Sequence, residues 1–283
     1  SINENFKLSE LTKSEEKKEE ESAYSFHLLR CSSNFDGPTD NLRETDIQIL
    51  NSINGTAKEF FQSETDLNHV LAQIYHNTVE GGANSNSQKK AKIKAHSDKT
   101  KDMPSNGLMA FCTFYKDFTA IHGIEKSSND YFDYVHKNVS IFTRLRFRLK
   151  SCVENTNIIA PKQFDIKLYP NSVFFMSLQT NRLFTHEIVP SGLEVNYLPT
   201  RMGYVVRCSK TLGIHVLESS KTFVQEDDVS KTNEKIYELV KPDVEQMEAL
   251  KQLYYKENMT SEIISYPSLN FSFNEGDYKK PLI

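Results

Sequence analysis

The chain has 283 residues, of which 38% are hydrophobic and 25% charged, and its formal net charge is -4 at pH 7. That length and apolar content predict a buried core in one domain with helical additions. No stretch approaches the roughly 18 apolar residues of a membrane-spanning helix, the first residues do not resemble a secretory signal, and the negative charge argues against strong nonspecific binding to nucleic acid, so we expect an intracellular protein of the cytoplasm or nucleus.

The first predicted elements are a charged arm and one or two helices. Residues 1–22 include a mixed run of lysine and glutamate that can bury little apolar surface, which is typical of a disordered arm. From about Leu42 to His76, apolar residues recur at helical spacing and predict helices packed outside the core. The apolar positions are Ile47, Leu50, Ile53, Ala57, Phe60 and Phe61.

Strand signals dominate the middle of the chain. Short aromatic or β-branched segments, separated by turn residues, predict strands. These segments are 107–115, 140–150, 164–168, 173–178 and 204–208. Helical periodicity returns over 233–255. The resulting division is an arm at 1–22, a main domain at 23–230, and a C-terminal helix and tail at 231–283.

The four cysteines are scattered, with no CxxC pair, and indicate neither a disulfide framework nor a zinc site. They are Cys31, Cys112, Cys152 and Cys208. We interpret them as core residues of a protein in a reducing compartment.

One pair of side chains has the spacing of metal ligands. His96 and Asp98 are two positions apart, and in an extended segment such residues project from the same face. A histidine from a distant strand would complete a 2-His-1-carboxylate triad, which holds Fe(II) and leaves open positions for a cosubstrate and dioxygen. His186, in the segment 182–188, is the candidate for that third ligand. The HxD pattern alone is common, and the alternative is that Asp98 caps a turn through residues 99–102.

Four segments resemble, in the same order, those of AlkB-like 2-oxoglutarate- and Fe(II)-dependent dioxygenases. They lie within roughly residues 71–211, about half of the chain. The segments are Ala91–Lys99 around the HxD pair, Leu168–Ser177 with its turn and apolar strand, Arg182–His186 with the distal histidine, and Arg201–Arg207 with two arginines six positions apart.

The resemblance implies a fold and an activity. The fold would be mainly β with flanking helices, built on a double-stranded β-helix, or jelly-roll, core. His96, Asp98 and His186 would bind Fe(II) as the catalytic triad. The enzyme would use dioxygen to convert 2-oxoglutarate to succinate and carbon dioxide while a nearby C–H bond is hydroxylated; on an N-methyl group, the product would decompose to formaldehyde.

The resemblance also implies which residues bind 2-oxoglutarate. Arg201 is the first choice for the distal carboxylate, because a guanidinium holds a carboxylate bidentately and does not lose its proton. Arg207, on the same strand face, would orient either the ketoacid end or the Asp98 carboxylate. The alternative is that both arginines pair with surface acids. Upstream, Tyr75 matches a tyrosine that contacts 2-oxoglutarate, and Gln73 stands where the family usually has asparagine.

A loop with glycine, asparagine and serine lies between these positions and the HxD pair. Residues 80–90 form a longer segment than the family resemblance leads us to expect. It is either a lid over the site or a tolerated surface insertion. His76, beside Tyr75, could line the pocket.

One predicted strand alternates cations with apolar residues. Its cations are Arg144, Arg146, Arg148 and Lys150. A second basic cluster, Lys89, Lys90, Lys92 and Lys94, precedes the HxD pair. Such a stripe is either a track for nucleic acid or an acidic protein, or an ordinary solvated face neutralised by the 38 acidic residues of the chain.

The sequence therefore favours an oxygenase whose substrate is a methylated nucleic-acid base, by analogy with the family. A protein or small-molecule hydroxylase of the same mechanism stays open, because the chain has no tryptophan to stack on a base and Thr100 stands where several base-repairing relatives have a second acid. A noncatalytic jelly-roll interaction module is the alternative from another class.

Overall fold

The computed structural model describes residues 2–14, 22–30, 36–62, 66–82, 85–154, 156–226 and 235–283. The described part of the chain is mainly β with flanking helices, as the sequence predicts. Its strands form several sheets that do not close into a barrel.

The largest sheet has six strands in the order β15-β9-β17-β5-β1-β4. Neighbours are antiparallel, except that β4 runs parallel to β1. The strands are β1 (Ile2–Ser9), β4 (Asp40–Asn41), β5 (His69–Tyr75), β9 (Leu108–Tyr115), β15 (Ser172–Ser177) and β17 (Arg201–Arg207).

A second sheet has four antiparallel strands in the order β14-β13-β16-β8. They are β8 (Ile93–His96), β13 (Arg144–Leu149), β14 (Gln163–Lys167) and β16 (Phe184–Val189). Side chains from this sheet and from the six-stranded sheet line one cavity. Their arrangement places the candidate site between two sheets.

Three smaller sheets complete the described strands. A five-stranded sheet, ordered β2-β3-β18-β19-β20, contains β2 (Thr12–Ser14), β3 (Ala23–Leu28), β18 (Thr211–Val216), β19 (Lys221–Glu226) and β20 (Lys235–Glu238). A three-stranded sheet contains β10 (Glu125–Lys126), β11 (Tyr134–His136) and β12 (Val139–Ser140). A hairpin contains β6 (Thr78–Gly82) and β7 (Ser85–Lys89).

The described α-helices are α1 (Glu44–Phe60), α2 (Ser151–Glu154), α3 (Leu178–Leu183) and α4 (Val244–Met259). A capping box starts α4, because Asp243 accepts from the Gln246 N–H at 2.8 Å and Gln246 accepts from the Asp243 N–H at 3.0 Å. Helix α1 buries Leu50, Ile53 and Ala57.

The six-stranded sheet is covered on both faces, which explains the nearly continuous apolar sequence of β9. Leu108 and Ala110 join the core that α1 covers, whereas Met109 belongs to the core between the two large sheets. The core between the two large sheets also contains Leu250 and Tyr254 from α4. The C-terminal segment thus packs into the same core as the main domain.

The prediction of a disordered N-terminal arm is wrong over residues 2–14. These residues form β1 and β2, and β1 pairs with β5 over Ile2–Ser9. Lys7 is 4% exposed and donates to Asp277. A partner distant in the sequence therefore allows a lysine of this strand to be buried. The remainder of the charged run, residues 15–21, lies outside the described residues.

Two helix predictions need correction at their ends. The region from Leu42 to His76 holds one α-helix, α1, followed by strand β5 rather than a second helix. The predicted helix 233–255 begins only at Val244, because β20 precedes it. Strand β5 pairs with β1 and β17, and β20 pairs with β19, and sequence periodicity does not reveal these strand partners.

The cysteine prediction is confirmed for two residues. Cys112 and Cys208 are buried and free, whereas Cys152 is free but exposed, so it is not a core residue. Cys31 lies outside the described residues. None of the described helices has the length and apolar content needed to cross a membrane.

Burial of His69 predicts a loss of stability in mild acid. His69 is 3% exposed, and burial, together with the positive charges of Lys7 and Arg207, lowers its pKa to about 3. The unfolded chain therefore binds this proton first, and stability present above the unfolded pKa of 6.5 is lost as the pH falls towards 3, at about 1.4 kcal/mol per pH unit. We expect His69→Leu to flatten the pH dependence of the urea midpoint between about pH 7 and about pH 5.

The matched control for this experiment is His122→Leu, since His122 is exposed. The control should leave the pH dependence as it is in the parent chain. Some slope should survive in His69→Leu as well, because burial also lowers the pKa of His186, to about 4. An unchanged slope in His69→Leu would contradict the prediction.

Candidate metal centre and adjoining cavity

The two candidate histidines are direct neighbours on adjacent strands. His186 of β16 pairs with His96 of β8, and their ring centroids lie 4.6 Å apart. Side chains of such a cross-strand pair share one face of a sheet. Asp98 follows two residues after β8, and the ligand atoms of the three side chains lie within 4.8 Å of one another. The structure therefore brings the predicted triad together.

The protonation states of His186 and Asp98 favour metal binding. Burial lowers the pKa of His186 to about 4, so its imidazole is neutral near pH 7, as a metal ligand must be. Burial alone would raise the pKa of Asp98, but the Arg207 guanidinium and the two histidines hold it well below its usual range. Burial would likewise lower the pKa of His96, but Asp98, whose Oδ1 lies 3.7 Å from His96 Nε2, raises it.

The nitrogen atoms of the histidines are also arranged for a ligand. His96 Nδ1 lies 2.8 Å from the Lys94 carbonyl oxygen. A proton on Nδ1 would donate to that carbonyl and leave the lone pair of Nε2 free, which is how metal-binding histidines are usually oriented. Buried Nδ1 of His186 has no hydrogen-bond partner in the described part of the chain. Two imidazoles and one carboxylate in this geometry fit a divalent metal such as Fe(II).

The backbone around Asp98 is held by two asparagine side chains. The Asp98 N–H donates to Asn181 Oδ1 at 2.8 Å, and Asn181 Nδ2 donates to the Asp98 carbonyl at 2.8 Å. The Ser97 N–H donates to Asn258 Oδ1 at 2.7 Å. Among the described hydrogen bonds none caps a turn with the Asp98 carboxylate; Arg207 donates to its Oδ2 at 3.0 Å instead. This contact agrees with one of the two roles expected for Arg207.

The triad opens into a cavity of about 60 Å³ between the two large sheets. This volume is several times the 10–15 Å³ or so that one water molecule needs. All seven predicted site residues line it: Gln73, Tyr75, His96, Asp98, His186, Arg201 and Arg207. Strand β17 supplies Arg201, Gly203, Val205 and Arg207 to this wall because alternate residues face the same side.

Arg201 is a buried cation without an ion pair among the described residues. It is 5% exposed, and its Nη2 has no hydrogen-bond partner within the residues that the structure describes. Its guanidinium carbon lies 4.1 Å from the centre of the Tyr75 ring. The expected alternative, pairing with a surface acid, does not occur within the described chain. A buried, uncompensated guanidinium in a cavity is suited to bind an anion.

The neighbours of Arg201 leave room for its side chain. A Cβ atom at Gly203 would lie 2.9 Å from Arg201 Nη1, so the glycine makes space for the guanidinium. The Tyr75 hydroxyl donates to Gln73 Oε1 at 2.8 Å. Gln73, which stands where the family usually has asparagine, thus lines the cavity and bonds the tyrosine beside it.

The segment 80–90 is largely a hairpin, since it covers most of β6 and β7. The Val195 N–H donates to Gln88 Oε1 at 3.1 Å, and Lys90 Nζ donates to the Ser191 carbonyl at 3.1 Å. The base of the hairpin is thus bonded to the chain that follows β16. His76 does not line the cavity; it contacts Thr200 at 3.2 Å.

The basic strand β13 is paired with acids. Arg146 contacts Asp165 at 2.8 Å, Arg144 contacts the same carboxylate at 3.1 Å, and Arg148 contacts Glu187 at 2.8 Å. Lys150, just beyond the strand, is 5% exposed and donates to backbone carbonyls at the end of α4. Only the arginines of this stripe face solvent.

Sequence reasoning missed several residues of the site. Phe111 and Phe147 place their rings 5.9 Å from the His186 ring, and Thr113 lines the cavity. Alternation in β9 could have revealed Phe111 and Thr113. The contacts of Asn181 and Asn258 have no local signal, because they join positions 83 and 161 residues apart.

No protein-family model matches the chain, and no curated protein matches it in sequence.

Proposed function

We propose that this chain is an Fe(II)- and 2-oxoglutarate-dependent oxygenase with an AlkB-like jelly-roll core. One observation carries the proposal: a His-Asp-His group within metal-binding distance shares a cavity with Arg201, a buried guanidinium that has no acid partner among the described residues. A metal bound at the triad and a dicarboxylate extending to Arg201 would satisfy both features. The order of the four family-like segments agrees with this assignment.

The side chains of the cavity would divide the work as follows. His96, Asp98 and His186 would hold the metal, and Arg207 would keep the Asp98 carboxylate charged and oriented. Arg201 would bind the distal carboxylate of 2-oxoglutarate, supported by the Tyr75 ring. When bound, iron and 2-oxoglutarate supply the oxidation of a substrate C–H bond by dioxygen, with succinate and carbon dioxide as co-products. The apolar wall around His186 would exclude water from this reaction.

For the substrate we propose a methylated base in nucleic acid, as the family resemblance implies, with a protein or small molecule as the alternative. Arg144 and Arg148, whose side chains are 42% and 47% exposed, are the candidate contacts to such a partner. Their ion pairs do not preclude this role, because exposed pairs contribute only about 0–1 kcal/mol each and a polyanion can compete for them.

The direct test measures metal binding and turnover together. Protein freed of metal by a chelator should bind one equivalent of Co(II), and with Fe(II), 2-oxoglutarate and dioxygen it should form succinate. His96→Ala should reduce metal affinity at least about 100-fold, since even outer contacts of metal ligands contribute 10–100-fold. His122→Ala, at an exposed histidine, is the control. If the parent chain binds no metal, the result would favour the alternative that the protein is a noncatalytic interaction module.

Substrate class is resolved by parallel incubations. Methylated oligonucleotides and a peptide mixture are each treated with the Fe(II)-loaded protein and 2-oxoglutarate, and the products are identified by mass spectrometry. Loss of methyl groups with release of formaldehyde is the expected result for the oligonucleotides. A mass increase of one oxygen in peptides alone would replace the nucleic-acid proposal with the protein hydroxylase.

A further inference from the structure

The HxD pair poses a structural problem, because its second ligand lies outside the sheet. Strand β8 ends at His96, where it pairs with His186 of β16. Residues two apart face the same side only while the backbone stays extended. The described backbone pairs with β16 end at His96, and beyond it β16 bonds only the Ser97 hydroxyl, which donates to the Phe184 carbonyl at 3.2 Å. Some other group must hold the backbone between the two ligands.

Two side-chain amides take the place of the missing strand. Asn181, 1% exposed, bonds both the N–H and the carbonyl of Asp98, each at 2.8 Å. This is the pattern that a residue of a neighbouring strand would provide. Asn258 accepts from the Ser97 N–H at 2.7 Å. The backbone of Ser97 and Asp98 is therefore fixed by asparagines from α3 and α4.

Both asparagines are themselves anchored. Asn258 Nδ2 donates to the Tyr254 carbonyl within α4 at 3.2 Å, and the neighbouring Glu257 carboxylate accepts from the Thr100 N–H at 3.1 Å. Asn181 lies in α3, immediately before the strand that carries His186. One short segment thus connects the position of Asp98 to that of the distal histidine. The end of α4 likewise fixes the segment that follows the carboxylate.

We infer that Asn181 and Asn258 are positioning residues of the metal centre, which hold residues 97–98 extended so that His96 and Asp98 face one ion. This inference rests on the proposed metal site. Neither asparagine lines the cavity, so each would act through the backbone of a ligand or of its neighbour. Removing one should leave all three ligands present but spread over more conformations, so binding an ion would require ordering them first.

The test compares Co(II) affinity with stability in the full chain. We expect Asn181→Ala and Asn258→Ala to weaken Co(II) binding about 10–100-fold, the usual effect of removing contacts that orient metal ligands. The visible spectrum of bound Co(II) should change as well, because the coordination geometry is less constrained. Asn258→Asp retains an acceptor for the Ser97 N–H and should restore the affinity.

A matched control exists elsewhere in the fold. Asn54 Nδ2 donates to the Leu67 carbonyl at 3.0 Å, and the Leu67 N–H donates to Asn54 Oδ1 at 2.8 Å, which is the same double contact outside the cavity. Asn54→Ala should lower the unfolding midpoint without changing Co(II) affinity. If Asn54→Ala weakens Co(II) binding as much as Asn181→Ala does, the positioning role is overturned.

The remaining outcomes separate this inference from the proposed function. Co(II) binding that is equal in the parent chain and in both alanine variants overturns the positioning role alone. No Co(II) binding by the parent chain overturns the metal site and the positioning role together. Should Asn181→Ala fail to fold because a buried amide is lost, Asn258→Ala and Asn258→Asp form a complete comparison, since Asn258 is only half-buried.

Discussion

Asp98→Ala is expected to lower the free energy of unfolding of the metal-free protein by about 3–5 kcal/mol, the usual cost of removing one partner from a buried ion pair. The Asp98 and Arg207 side chains are each 10% exposed and lie 3.0 Å apart, so the substitution removes a carboxylate in contact with a buried guanidinium. The same variant should lose metal binding and turnover entirely. Urea unfolding and Co(II) titration measure the two effects separately.

Two further variants make this experiment specific. Asp98→Asn keeps an oxygen that can accept from Arg207, so it should remain nearer to the parent chain in stability while still losing metal affinity. Asp165→Ala removes another carboxylate that contacts arginines, but these side chains are 22–42% exposed, and we expect a loss of about 1 kcal/mol or less. Equal stability losses in Asp98→Ala and Asp165→Ala would contradict the assignment of a buried pair.

Arg201→Met is expected to weaken 2-oxoglutarate binding without lowering the stability of the protein. Removing a buried charge that has no acid partner among the described residues relieves its desolvation, and replacing buried ionic groups with apolar ones is often neutral or stabilising. The metal-free variant should therefore be no less stable than the parent chain. The affinity for 2-oxoglutarate should fall by about 2 kcal/mol or more, about 30-fold in Kd, because its distal carboxylate loses a charged partner.

Calorimetric titration of 2-oxoglutarate into the metal-loaded protein measures this affinity, and thermal unfolding measures the stability. Arg201→Lys keeps the charge but not the planar fork, so it should bind the cosubstrate with intermediate affinity. A marked loss of stability in Arg201→Met, with 2-oxoglutarate binding retained, would assign Arg201 a structural role instead.

The elements that sequence reasoning placed best are those with local signals. The strand predicted at 107–115 is β9, at Leu108–Tyr115, because a continuous apolar run reflects burial on both faces. The mainly β class follows from several such segments. β1 was missed since the adjacent charged run outweighed it, and because the partner that neutralises Lys7 lies 270 residues away in the sequence.

The candidate site likewise contains residues that the sequence could indicate and residues that it could not. Spacing and family resemblance singled out His96, Asp98 and His186, and the structure brings them together; their role as iron ligands stays a prediction. The same holds for Arg201 as a 2-oxoglutarate ligand. The asparagines that hold Asp98 and Ser97 could not be foreseen, since an amide bonded to distant backbone has no motif. Their contribution exists only after the chain has folded.

The direct pairing of His186 with His96 has a consequence for the accuracy of folding. β8 is only four residues long, lies at an edge of its sheet, and contains an irregularity between its two pairs with β16. A slip of one residue would turn one imidazole towards the opposite side of the sheet. A divalent ion bound by both rings would therefore stabilise the correct register relative to the shifted one. Metal binding would then also favour correct pairing of this short edge strand.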